Sequence, residues 1–251
     1  MSCTKGNENI VEYLIEHGAD INEENNSGET PLFKACFIKN ENIVRYLVEH
    51  GADINKENEN GDTPLFEACK SESEDIVKYL VEHGADINKE TIYGETSLFF
   101  VCKNGNGNIL NYLVEHGADI NKAYEYGDTP LFVACRNGNE NIVEYLIEHG
   151  ADINEENNFD ETPLFKACFI KNENIVKYLV EHGADINKEN ENGDTPLFEA
   201  CKNESEDIVK NLVEHGADIN KENRKKETPL LIAKKRRNEN IINYLNDFYC
   251  N

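Results

Sequence analysis

NNSGETPLFKACFIKNENIVRYLVEHGADINKE, residues 25–57, decides the fold. Thr30 before Pro31 marks a helix start: the hydroxyl can cap the first turn, and proline at the first helical position forfeits no hydrogen bond. Leu32, Phe33, Ala35 and Cys36 then make a short apolar helix. From about Glu41 a second one follows, with Ile43, Val44, Leu47 and Val48 at helical spacing, and Gly51 serves as its left-handed stop. The polar stretch from Asp53 to Gly61 is a turn leading into the next Thr-Pro.

The stretch recurs without insertion. His-Gly-Ala-Asp-Ile-Asn begins at His17, His50, His83, His116, His149, His182 and His215, always 33 residues apart. Thr-Pro-Leu-Phe starts at Thr30, Thr63, Thr129, Thr162 and Thr195, with Thr-Ser-Leu-Phe at Thr96 and Thr-Pro-Leu-Leu at Thr228. A fixed period of this length means stacked copies of one small unit. Helices of about two or three turns do not persist singly in water, so stability has to come from the stacking.

These residues resemble the ankyrin repeat family, whose pattern runs Gly-x-Thr-Pro-Leu-His, Ala-Ala, Ile-Val and Gly-Ala-Asp-Val-Asn. The resemblance covers nearly the whole chain and implies an all-α solenoid of helix-turn-helix units joined by β-hairpin-like loops. One departure is systematic: the family histidine is Phe33, Phe66, Phe99, Phe132, Phe165 and Phe198 here, and Leu231 in the last unit. Apolar packing is expected to replace the hydrogen bond that the resemblance gives to that histidine.

Six in-phase repeats are expected over residues 25–222, after a partial repeat, 1–24, and before a capping repeat, 223–251. The partial repeat has a second helix (Ile10, Val11, Leu14, Ile15) but no Thr-Pro segment, which favours a piece of a longer array over a chain opening on a half-unit. Lys234 stands where the other repeats carry cysteine, as expected of a finished end. Residues 6–90 and 138–222 match at 80 of 85 positions, differing only at Ser27/Phe159, Gly28/Asp160, Arg45/Lys177, Ser71/Asn203 and Tyr79/Asn211. Recurrence within this chain therefore does not by itself mark a functional residue.

The chain's 25 Lys and Arg face 49 Asp and Glu, a formal charge of −24. That balance disfavours nucleic acid, anionic membrane or acidic protein as the main partner. Residues 221–237 run against it at +6, leaving −30 for the rest; they read as a soluble cap, with a nuclear-import or acidic-partner patch as the alternative. Mean hydropathy is −0.66, and no apolar run approaches the ~18 residues that span a bilayer. Cys3, Cys36, Cys69, Cys102, Cys135, Cys168 and Cys201 keep the 33-residue beat. Equivalent places in stacked helices lie about 8–10 Å apart, beyond the roughly 7 Å between Cα atoms that a disulfide tolerates. Buried thiols in a reducing compartment, the cytoplasm with the nucleus as alternative, are expected.

No catalytic, metal or cofactor site is expected. The histidines all belong to one motif, as helix-end residues favoured by the dipole. Neighbouring copies lie too far apart to share an ion at about 2 Å. Asp53-x-Asn55-x-Glu57 lacks the glycine and closing glutamate of a calcium loop. There is no phosphate-binding glycine loop and no Gly-x-Ser-x-Gly.

What distinguishes the repeats is where they differ. In the resembling family, partners contact the loop tips and the inner face of the first helix. Outer tips here are polar, but the central ones carry Ile92 and Tyr93, Tyr124 and Tyr126, and Phe159; on the first helices, Phe100 and Val133 stand where outer repeats have Lys or Glu. These seven form the expected partner-binding strip, with core packing as the alternative for Phe100 and Val133. Phe37-Ile38 and Phe169-Ile170 offer a secondary contact or pack under the loop. The expected function is a monomeric, non-enzymatic scaffold that binds a partner protein on its concave face, centred on residues 91–156. The rivals are a regulatory or targeting segment of a larger enzyme, and a spacer.

Overall fold

The computed structural model describes residues 7–249; Cys3, the first in-phase cysteine, lies outside them. The chain divides into two compact units, residues 1–125 and 126–251. In the first, α1 (Glu8–Glu16) is followed by the pairs α2 (Pro31–Phe37) and α3 (Glu41–Glu49), α4 (Pro64–Lys70) and α5 (Glu74–Glu82), and α6 (Ser97–Asn104) and α7 (Gly107–Glu115). The second holds α8 (Pro130–Asn137) with α9 (Glu140–Glu148), α10 (Pro163–Phe169) with α11 (Glu173–Glu181), α12 (Pro196–Lys202) with α13 (Glu206–Glu214), and α14 (Pro229–Arg236) with α15 (Glu239–Tyr249). No strand occurs among the described residues.

The caps explain the boundaries. Thr30 Oγ1 accepts from the Phe33 amide at 3.2 Å, and Thr63, Thr96, Thr129, Thr162 and Thr228 repeat the bond. Second helices that follow Asn7, Asn40, Asn106, Asn172 and Asn238 start on a side-chain acceptor too, Asn40 Oδ1 taking the Ile43 amide at 3.0 Å, whereas Ser73 and Ser205 make no such bond. They end on histidine and a glycine in the left-handed region, Gly51 at φ +91° for example. The histidine Nδ1 sits 2.7–2.8 Å from the carbonyl four residues earlier in all seven repeats. Six of the rings also stack on the tyrosine of that turn.

Within each unit, first helices pack on first helices and second on second: α2 on α4 and α4 on α6, then α8 on α10, α10 on α12 and α12 on α14. Leu32, Ala35, Cys36, Val44 and Leu47 are fully buried, as are their counterparts through α13, whereas Leu230 and Ile242 in the last repeat are half-buried and Lys234 is exposed. A buried Leu or Val contributes about 1.5–3 kcal/mol, which is what short helices need from their neighbours. The phenylalanines that replace the family histidine are buried from Phe33 to Phe198, whereas Leu231 on α14 is 39% exposed. Cys36, Cys69, Cys102, Cys135, Cys168 and Cys201 are buried, and none of them is in a disulfide.

A polar ladder explains why the Asp-Ile-Asn segment does not vary. Asn55 Oδ1 accepts from the Asp86 amide at 2.8 Å, and its Nδ2 donates to the Gly84 carbonyl at 3.1 Å. Asn22, Asn88, Asn154 and Asn187 likewise reach the next aspartate amide. Each asparagine thus clips its repeat to the following one. Ion pairs such as Lys56–Glu24 and Lys89–Glu57 run alongside, exposed to solvent and screened by it.

Candidate functional site

A loop tip is a tight turn held by one side chain. Asn25 Oδ1 accepts from the amides of Ser27 and Glu29, and the turn closes between Gly28 N–H and the Asn25 carbonyl at 3.0 Å. The residues between are forced outward. The tip also receives one backbone bond from the next, Glu59 N–H to the Ser27 carbonyl at 3.1 Å. That close approach is why Gly28 is glycine: a Cβ there would sit 2.9 Å from the Glu59 nitrogen.

In the first unit, Thr91 takes the asparagine's place, its Oγ1 accepting from the amides of Tyr93 and Glu95. The turn presents Ile92 and Tyr93, which are 64% and 52% exposed. Phe100 and Tyr124 are placed differently. Both are half-buried and belong to one ring cluster: Phe100 meets Phe66 edge-on at 4.7 Å, and Tyr124 lies 4.4 Å from Phe99. The Lys103 ammonium stands 5.2 Å over the Phe100 ring.

In the second unit, Tyr126 and Phe159 are 51% and 46% exposed, on adjoining tips tied by Asn158 N–H to the Tyr126 carbonyl at 3.0 Å. Val133 has no exposed surface; it packs inside the repeat, and the strip read from sequence has no free side chain there. Beneath these tips lies a network that the sequence did not reveal. Asn157 Oδ1 accepts from the amides of Phe159 and Glu161, and its Nδ2 donates to buried Asp128 at 2.9 Å. Arg136 binds the other Asp128 oxygen at 2.6 Å. Asn223, Asp194 and Lys202 repeat the arrangement. Burial opposes the charge on Lys202, but its bond to Asp194 prevails and its pKa is raised. The available signal was an aspartate with a cation eight residues on, as at Asp128 and Arg136 or Asp194 and Lys202, but Asp62 and Lys70 share that spacing.

Glu67 and Glu199 are buried on α4 and α12. Desolvation raises the Glu67 pKa, although Lys70 and Lys34 pull the other way. Phe37 and Phe169 end α2 and α10 at 58% and 53% exposure, with Lys34 and Lys166 ammoniums 5.4 and 4.8 Å from the rings.

An open, polar cleft of about 370 Å³ in the first unit is lined by Lys39, Glu41, Glu72, Ser73, Glu74, Asp75 and Ile76. Among the described residues, no three His, Cys, Asp or Glu side chains gather as metal ligands would. No helix there is long and apolar enough to cross a membrane. A family model described as ankyrin repeats (3 copies) matches residues 1–91, 88–157 and 150–223. No curated protein gives a significant match.

Proposed function

The chain belongs to the ankyrin repeat family, and from that premise we propose that it is a non-enzymatic scaffold that holds a partner protein on its loop tips and first-helix face. Ankyrin repeats are, as a class, protein–protein interaction modules. The observation that carries the reading is the outward setting of large apolar side chains by hydrogen-bonded turns: Ile92 and Tyr93 in the first unit, Tyr126 and Phe159 in the second. Equivalent tip positions elsewhere hold Asn26, Ser27, Glu59, Asn60, Glu191 and Asn192. Exposed aromatic residues on a rigid turn lose little entropy on binding, which is why they anchor interfaces. Phe100 and Tyr124 serve behind them, fixing the rings under the tip. Buried thiols outside any disulfide suit a reducing compartment, and we place the scaffold in the cytoplasm.

The test uses the whole chain as bait, beside Ile92→Ser/Tyr93→Ser and Tyr126→Ser/Phe159→Ser variants. Tyr124 stays untouched because it packs on Phe99. Proteins retained by the wild type and lost by a variant of unchanged helicity and melting support the proposal. Identical retention by all three disposes of it.

A further inference from the structure

The chain is acidic, yet the first-helix face of its second unit is not. Arg136, Phe169, Lys202 and Lys235 occupy equivalent places on α8, α10, α12 and α14. The helices stack directly, and Asn203 donates to the Phe169 carbonyl at 3.2 Å. The carboxylates that pair with the two cations flanking Phe169 lie underneath them. The Arg136 side chain is 35% exposed and its partner Asp128 is 4%; Lys202 is 31% exposed and its partners Asp194 and Glu199 are 6% and 9%. Asparagine amides hold the other oxygens of those aspartates. Positive charge therefore faces outward on both sides of an exposed phenyl ring, with the Lys166 ammonium 4.8 Å from that ring. The second helices show the reverse: α9 carries Glu140, Glu144 and Glu148 with no cation, and acidic residues outnumber lysines on α11 and α13.

We propose that the Arg136–Phe169–Lys202 row is a docking site for an acidic polypeptide segment that carries aromatic or aliphatic residues among its Asp and Glu. Such a segment is repelled by the second helices and attracted to a face that offers cations around an apolar anchor. The phenyl ring takes the apolar side chain, while the cations pair with carboxylates on either side of it. The Arg136 and Lys202 side chains are held in place by Asp128 and Asp194, so little further ordering is required when a ligand arrives. This rests on the scaffold reading above, but not on its tip residues.

The test titrates the full chain with two short fluorescein-labelled peptides and follows anisotropy. In one, Phe and Leu are spaced among Asp and Glu; in the other, the same Phe and Leu are spaced among Lys and Arg. All chains carry Phe37→Ser, so that the duplicate ring does not mask the result. The acidic peptide is expected to bind, to weaken as salt is added, and to weaken roughly tenfold with Phe169→Ser. Circular dichroism of Phe169→Ser should match its parent, since the ring is exposed. Equal or stronger binding of the basic peptide, no binding of the acidic one, or indifference to Phe169→Ser overturns the proposal. If Tyr126→Ser/Phe159→Ser abolishes partner retention while Phe169→Ser changes nothing, the scaffold reading stands and this site falls.

Discussion

Glu67 shows how one side chain can act against the fold that holds it. It is 5% exposed, and burial raises its pKa above the ordinary glutamate value of 4.5. A folded-state pKa above the unfolded one means that the fold binds the extra proton, so its contribution to stability is fullest at low pH. It fades as pH rises from about 4.5 through the raised value. Glu67→Gln is expected to flatten this part of the pH profile and to raise the neutral-pH Tm by roughly 1–3 °C, read by thermal melts across pH 4–8 (about the range where carboxylates titrate). An unchanged profile would mean that the carboxyl ionises as freely folded as unfolded. Asp160 bears a cost of another kind: at φ +56° it holds a left-handed turn where the duplicate block has Gly28, beside the outward ring of Phe159.

At the scale of the helix and its connections, much was legible in the sequence. Thr30-Pro31 fixed where α2 begins, His50-Gly51 where α3 ends, and the 33-residue beat carried both through the chain. The tips at Ile92, Tyr93, Tyr126 and Phe159 could be singled out because turns expel their central residues. First-helix positions were harder: Phe100 and Val133 occupy one repeat position, yet one is half-buried and the other wholly so, because exposure there depends on the side chains of adjacent helices. The left-handed residues Lys39, Glu72, Lys171 and Glu204 are marked only through the period, which aligns them with Gly105 and Gly138 in the same conformation. None is itself glycine; the next helix start imposes their conformation, as when Asn40 N–H reaches back to the Ala35 carbonyl. The asparagine ladder leads to a prediction between elements. Asn55→Ala removes the bonds to Asp86 and Gly84 and is expected to cost about 1–2 kcal/mol. A lowered urea midpoint at constant slope would show it, with Asn26→Ala at an exposed tip as the near-neutral comparison.

Across the whole molecule, stability is a sum over repeats and the junctions between neighbours. The cysteines are its reporters. Burial pushes the thiols of Cys69 and Cys201 up to about 12, and those of Cys36, Cys102, Cys135 and Cys168 are raised as well. Alkylation at these six sites is expected to be absent in the native protein at neutral pH and to begin only when urea opens the repeat that contains each one. Peptide mapping of iodoacetamide-treated protein checks this; prompt native labelling at any of the six would contradict the burial. The asparagine clip also sets what the gene can tolerate. Every junction in the first unit presents the same acceptor to the same amide, so excising residues 58–90 would bring Asn55 against Asp119 in place of Asp86. Such a chain could be shortened cassette by cassette, its length adjustable without redesign of any seam.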